Sequence, residues 1–69
     1  MNLKQLNKLT ADWHLQEGFV HAFERAIKND YHKAVLSLAD IGSQEIRWLN
    51  RHGYIVVVDF GRGFAEVEL

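Results

Sequence analysis

The sequence predicts an α+β domain, in which two or three helices pack on one face of a small three-stranded sheet that ends in a C-terminal β-hairpin. Apolar residues recur at helical spacing in the first half of the chain, and a β-branched run occupies residues 54–59. Residues 65–69 alternate apolar and acidic side chains, as in a strand with one solvated face. The chain has 69 residues, and we assign residues 1–69 to a single small domain.

Two amphipathic helices are predicted in the first 30 residues. Their apolar positions lie three or four residues apart and comprise Leu3, Leu6, Leu9, Trp13, Leu15, Phe19, Phe23 and Ile27. Thr10 and Asp12 are both suitable N-caps, so we expect a break at residues 10–13. Gly18 inside the second helix marks a bend or a close approach by another element. Asn29 and Asp30 predict the end of that helix.

Residues 31–39 fit two patterns. Ala34 and Leu36 alternate with the residues between them, which favours a strand, whereas Val35 and Leu38 lie at helical spacing. We predict a strand, because the segment is short and lies between two helices. A helix here would instead give the element order of a winged helix-turn-helix protein, with the hairpin as the wing.

A third helix is predicted from Ser43, which is a suitable N-cap residue. Glu45 lies in its first turn, where the helix dipole favours an acid, and Ile46 and Leu49 form the inward face. Gly53 suits the left-handed position that ends a helix.

The C-terminal hairpin turns at residues 60–64, which contain two glycines. Ala65, Val67 and Leu69 are predicted to face the core. The preceding run from Ile55 to Val58 is apolar on both faces, so its second face must be covered.

The cap-led helix Ser43–Leu49, the segment Gly53–Val57 with its hairpin, and the opening helix Met1–Leu6 together resemble small phage and prophage proteins. The resemblance covers nearly the whole chain and includes no catalytic motif. It implies an accessory, virion-associated or host-inhibiting role, in the cytoplasm of a host cell. No functional residue is carried over from it.

Composition limits the classes of partner. Eight Lys and Arg residues against nine Asp and Glu residues leave a net charge of −1, so no global field attracts nucleic acid or an anionic membrane.

There is no cysteine, so no disulfide supplements the small core. Binding to another chain is the remaining way to stabilise so small a core. We therefore expect a homodimer or larger assembly, a host protein partner, or both. The N-terminal residues do not form a signal peptide, and we expect a cytoplasmic protein.

The residues predicted to bind protein are aromatic, basic or β-branched: Trp13, Arg47, Trp48, Arg51, Val56 and Val58. Tryptophan and arginine are enriched at the energetic centres of interfaces. On a helix, Arg47 and Arg51 are neighbours one turn apart, and Trp48 lies close to Arg51. The leading hypothesis is therefore a non-enzymatic protein-interaction module.

The competing hypothesis is a winged-helix DNA-binding regulator. Gln44, Arg47 and Arg51 would then contact DNA from the third helix, and Arg62 would contact it from the hairpin tip. The acidic residues of the hairpin, Glu66 and Glu68, oppose this hypothesis because they repel phosphate.

A third hypothesis is a metal-dependent enzyme at an interface between chains. His14, Glu17 and His21 would share one face of the second helix and hold a divalent metal with ligands from a partner. Zinc-binding histidines on a helix are usually one turn apart, whereas these two are separated by two turns. We therefore assign no metal, no cofactor and no catalytic residue, and we expect no enzymatic activity.

Overall fold

A computed structural model describes residues 1–69, with three α-helices, one short 3₁₀ helix and a three-stranded antiparallel sheet. The elements are α1 (Leu3–Thr10), α2 (Glu17–Lys28), β1 (Lys33–Ser37), the 3₁₀ helix (Leu38–Asp40), α3 (Ser43–Arg51), β2 (Val56–Asp59) and β3 (Phe64–Glu68). The α+β prediction is confirmed. None of the helices has the length and apolar character needed to cross a lipid bilayer.

The segment before α3 is a strand followed by a three-residue 3₁₀ helix. The strand prediction is confirmed, and the winged helix-turn-helix alternative is wrong, because no full helix lies between α2 and α3. The strand forms because Ala34 and Leu36 then lie on one face, where both are buried against α2. A helix would separate these two residues on its surface.

The strand order is β1-β3-β2, so β3 is central and the other two strands are edges. In the register of the sheet, Ala34 lies opposite Val67 and Leu36 lies opposite Ala65. All four residues are buried, whereas Val35 on the other face is exposed. The helices therefore cover one face of the sheet, as the alternation in β3 predicts for Ala65 and Val67. The prediction that Leu69 faces the core is wrong, because Leu69 lies beyond the end of β3 and is 37% exposed.

The break between the first two helices begins where the sequence predicts it but extends to residue 16, and the N-cap of α2 is Gln16 and not Thr10 or Asp12. Asn2 begins α1 with a capping box: its Oδ1 accepts from the Gln5 backbone N–H at 2.8 Å, and its own N–H donates to the Gln5 side chain at 2.9 Å. The chain leaves α1 after Thr10 and enters α2 at Glu17. Asp30 follows the end of α2 with φ of 55°, which agrees with the predicted cap.

Gly18 marks a close approach of the 3₁₀ helix to α2 and not a bend in α2. A side chain added at this position would collide with the carboxylate of Asp40, which lies in the 3₁₀ helix. The absence of a side chain at Gly18 thus leaves room for the Asp40 carboxylate at the start of α2.

Trp48 is at the centre of the core and is fully buried. Its ring contacts Phe19 and Phe23 edge to face, with centroids 5.6 and 5.3 Å away, and stacks on Tyr54 at 5.4 Å. The indole Nε1–H donates to the backbone oxygen of Leu9 at 3.1 Å. Trp48 therefore joins α3 to the end of α1 as well as to α2.

The orientation of α3 differs from the prediction. Glu45, Trp48 and Leu49 form its buried face, and Ile46 is 50% exposed. The prediction that Ile46 faces inward is wrong. With Trp48 in the core, α3 is rotated so that Ile46 lies outside its buried face. The N-cap is Gly42 and not Ser43, since the Gly42 N–H donates to the Glu45 side chain at 2.7 Å.

Glu45 is a buried carboxylate that holds the start of α3 against the start of α2. Besides the bond from Gly42, it accepts the Gln16 backbone N–H at 3.0 Å and the Gln16 side-chain amide at 3.3 Å. Burial by itself raises the pKa of this carboxyl, but the hydrogen bonds from Gln16 and Gly42 outweigh it, and the pKa lies below its ordinary value.

We expect Trp48→Phe to lower the free energy of unfolding by about 1–3 kcal/mol, because it removes the bond to Leu9 and leaves that carbonyl unpaired. Urea unfolding in dilute solution measures this loss. Phe60→Ser is the matched control, since Phe60 is 84% exposed and its replacement should change the free energy by less than about 0.5 kcal/mol. Equal effects of the two substitutions would contradict the assigned role of Trp48.

We expect Glu45→Gln to destabilise the fold at neutral pH by about 1.5–3 kcal/mol, the usual contribution of a hydrogen bond to a charged group. A carboxyl whose pKa is lowered on folding stabilises the fold above its unfolded pKa, and this contribution is lost as pH falls through the folded pKa. The difference in free energy of unfolding between wild type and variant should therefore be constant near neutral pH and shrink as the pH falls below about 4.5, the ordinary pKa of this carboxyl. A difference that stays constant below this pH would contradict this role.

Candidate functional site

The sheet has two edges of different character. The carbonyl of Ile55 accepts from Glu68 N–H at 3.1 Å, and the carbonyl of Asp59 accepts from Gly63 N–H at 2.9 Å. Hydrogen bonding alternates along an antiparallel strand. The backbone N–H and C=O groups of Val56 and Val58 therefore point away from β3, toward the open edge of β2.

The β1 edge is protected. By the same alternation, the backbone groups of Lys33, Val35 and Ser37 point outward, because the intervening residues pair with β3. Lys33 places a charge at this edge and lies 3.4 Å from the Glu66 carboxylate. Charged side chains of this kind prevent further strands from adding to a sheet. The inner face of β1 is already covered by α2.

The β2 edge lacks both kinds of protection. Its first three residues are valines, and its only charged residue, Asp59, is at the end of the strand. Val57 on the outer face is 59% exposed and Val58 on the inner face is 42% exposed. The sequence predicts that both apolar faces of this strand are covered, but in the single chain the outer face is open and the inner face is covered only at Val56.

An apolar groove of about 370 Å³ lies beside β2 on its inner face. It is lined by the 3₁₀ segment, α3, β2 and the start of the hairpin turn, through Leu38, Ile41, Ile46, Leu49, Asn50, Val56, Val58 and Phe60. Asn50 is the one lining residue with a polar side chain. We call the open edge of β2 together with this groove the β2 surface.

The β2 surface is extended by exposed apolar side chains at both ends of the strand. Ile55 precedes β2 and is 61% exposed, and Phe60 follows it and is 84% exposed. Contiguous exposed apolar patches on a small protein usually mark interaction sites.

The structure separates the residues predicted to bind protein. Val56 and Val58 line the groove, and Arg47 and Arg51 are exposed on α3. Trp13 lies in the segment between α1 and α2, half-buried against the core. The prediction that Trp48 is a surface contact is wrong, because its indole is enclosed by aromatic rings and hydrogen-bonded inside the fold.

The residues of the DNA-binding hypothesis are all at the surface. Gln44, Arg47 and Arg51 are exposed on α3, and Arg62 is exposed at the hairpin tip. The Nε atom of Arg62 lies 3.7 Å from the carboxylate of Asp59, so its charge is already paired. The helix that would precede α3 in a helix-turn-helix is replaced by β1 and the 3₁₀ helix.

His14, Glu17 and His21 do not share one face of a helix. His14 precedes α2, which begins at Glu17, so only the other two are helical. No group of three or more histidine, aspartate or glutamate side chains lies together in a way that could hold a metal ion.

Sequence reasoning missed most of the groove. Leu38, Ile41 and Phe60 line it from segments that the sequence assigns to turns or to the end of a strand. The available signal was the β-branched run of β2, which is too apolar for an edge strand with two solvated faces.

Comparison of the chain with protein-family models, with curated proteins and with solved structures finds no match. The function of this chain therefore has to be inferred from the physical chemistry of the β2 surface.

Proposed function

We propose that this chain is a small non-enzymatic protein-interaction module that binds an extended segment of a protein along the β2 surface. The observation that carries the proposal is the exposed edge strand, which has no charge within its valine run and an inner face that is only partly covered.

The backbone supports binding by strand addition. The outward N–H and C=O groups of Val56 and Val58 are spaced to form ladder hydrogen bonds with an extended chain. Such main-chain bonds supply affinity, and pockets for alternate side chains supply specificity. The groove lies on the side of β2 to which Val56 and Val58 project, so every second side chain of an added strand would enter it.

The side chains around the groove support an apolar centre with a polar rim. Ile46 and Phe60 provide exposed apolar area, and Asn50 provides an amide that can orient a ligand. Arg47 and Arg51 are exposed on the same helix as Ile46, and we include them as rim contacts.

The resemblance to small phage proteins supports an accessory, virion-associated or host-inhibiting role for the module. In a host-inhibiting role, the chain would act in the host cytoplasm and occupy a surface on a host protein.

The proposal is tested with a synthetic peptide of alternating valine and threonine, about six residues long as in a typical strand, capped at both ends. We expect it to shift the NMR signals of the Val56 and Val58 amides and of the Asn50 side chain in dilute protein. A peptide of the same length with proline in place of the central valine is the control, because proline cannot donate to the ladder.

Val58→Lys places a charge on the groove side of β2 and should weaken peptide binding at least about tenfold. Val35→Lys is the matched variant on the protected edge and should leave the affinity unchanged. Peptide-induced shifts that appear on β1, or no shifts on either edge, would overturn the proposed function.

A further inference from the structure

We propose that the segment bound along the β2 surface is β2 of a second copy of this chain, so that two chains form one six-stranded antiparallel sheet. This inference rests on the proposed function, since it names the occupant of the same surface.

The sequence of the edge is complementary to itself. In antiparallel pairing with Val57 opposite the second copy's Val57, the pattern Ile55-Val56-Val57-Val58-Asp59 places valine against valine at three positions. The two neighbouring registers with the same hydrogen-bonding pattern leave only one such pair. Pairs of β-branched residues stabilise neighbouring strands, so this register is favoured.

The backbone groups agree with this register. Val56 of one chain lies opposite Val58 of the second copy, and both have N–H and C=O groups that point to the open edge. They therefore form hydrogen-bonded pairs on both sides of the two-fold axis. Val57 uses its own backbone groups toward β3, so it makes a close pair with no hydrogen bond across the axis.

The grooves meet in this arrangement. A two-fold axis perpendicular to the sheet keeps both helical layers on the same face. Val56 and Val58 of the two chains then form a continuous apolar row beneath the two α3 helices. The groove-lining Ile46 and Phe60 thereby gain a covering that a single added peptide strand does not provide, which favours a second copy over an isolated strand.

Charge does not oppose the pairing. Asp59 lies opposite the second copy's Ile55 and not opposite its own counterpart, and Arg62 balances its charge within the chain. The net charge of −1 per chain also gives little repulsion between copies.

The need for additional burial points to a copy of the chain itself. Ten hydrophobic residues out of 69 are buried in the single chain. A core of this size supplies only marginal stability, and small domains without disulfides commonly supplement it by oligomerisation.

The test is the molar mass from light scattering over micromolar to millimolar concentrations, for wild type, Val57→Lys and Val35→Lys. Val57 and Val35 are a matched pair, because both lie opposite Glu66 on the outer face and are 59% and 58% exposed. We expect wild type and Val35→Lys to form dimers. Val57→Lys brings two ammonium groups together at the axis, and its dimer dissociation constant should rise at least about tenfold.

A second pair of variants tests the register without adding charge. The chain has no cysteine, so Val57→Cys introduces a single thiol at the axis. Close pairs in an antiparallel ladder have Cα atoms about 4.5 Å apart, within the range of about 4.4–6.8 Å that a disulfide spans. Mild oxidation should link Val57→Cys chains rapidly and Val35→Cys chains slowly.

Unfolding by urea and circular dichroism in dilute solution verify that every variant is folded. A wild type that stays monomeric, a Val57→Lys variant that dimerises as wild type does, or equal crosslinking of the two cysteine variants would overturn the second-copy inference. If the valine-threonine peptide still binds β2 in those cases, the proposed function stands. If the peptide also fails to bind, both proposals fail.

Discussion

The helices have to cover the inner face of three strands, and on β2 they cover Val56 only in part and leave Val58 exposed. The inward residues of β1 and β3 are fully buried, whereas Val58 of β2 is not. Edge position and incomplete coverage coincide on one strand, because the order β1-β3-β2 puts β2 at the side of the sheet away from α2. The open edge and the groove are consequences of this arrangement.

Trp48 and Glu45 fix how far the helical layer reaches. The indole is held by the carbonyl of Leu9 and the carboxylate by the N–H groups of Gln16 and Gly42, so α3 is anchored toward α1 and the start of α2. With these two side chains turned inward, Ile46 faces the space above β2 and becomes a wall of the groove. The same contacts that build the core therefore also leave the β2 surface apolar and accessible.

The fold was largely predictable from the sequence, because its elements have strong local signals. The spacing of Phe19 and Phe23 indicates α2, and the glycine-containing turn with its alternating strand indicates the hairpin. Even the ambiguous segment around Leu36 was resolved by its length and position. These signals are local, and the tertiary structure preserves them.

The site was less predictable, because the rotation of a helix depends on tertiary contacts. Ile46 and Trp48 are both apolar, and helical periodicity alone does not decide which of them faces the core. Burial of the larger aromatic ring, with its hydrogen bond satisfied, determines the outcome. The apolar run of β2 is visible in the sequence, but the groove beside it comes from residues far apart in the sequence.

Amide hydrogen exchange at the three valines of β2 tests the central claim, that this edge is open and its backbone is available to a partner. In dilute solution, the Val56 and Val58 amides should exchange rapidly while the Val57 amide, bonded to β3, is protected. Protection of Val56 and Val58 equal to that of Val57 in the dilute, monomeric chain would show that the edge is already covered, and would contradict the account.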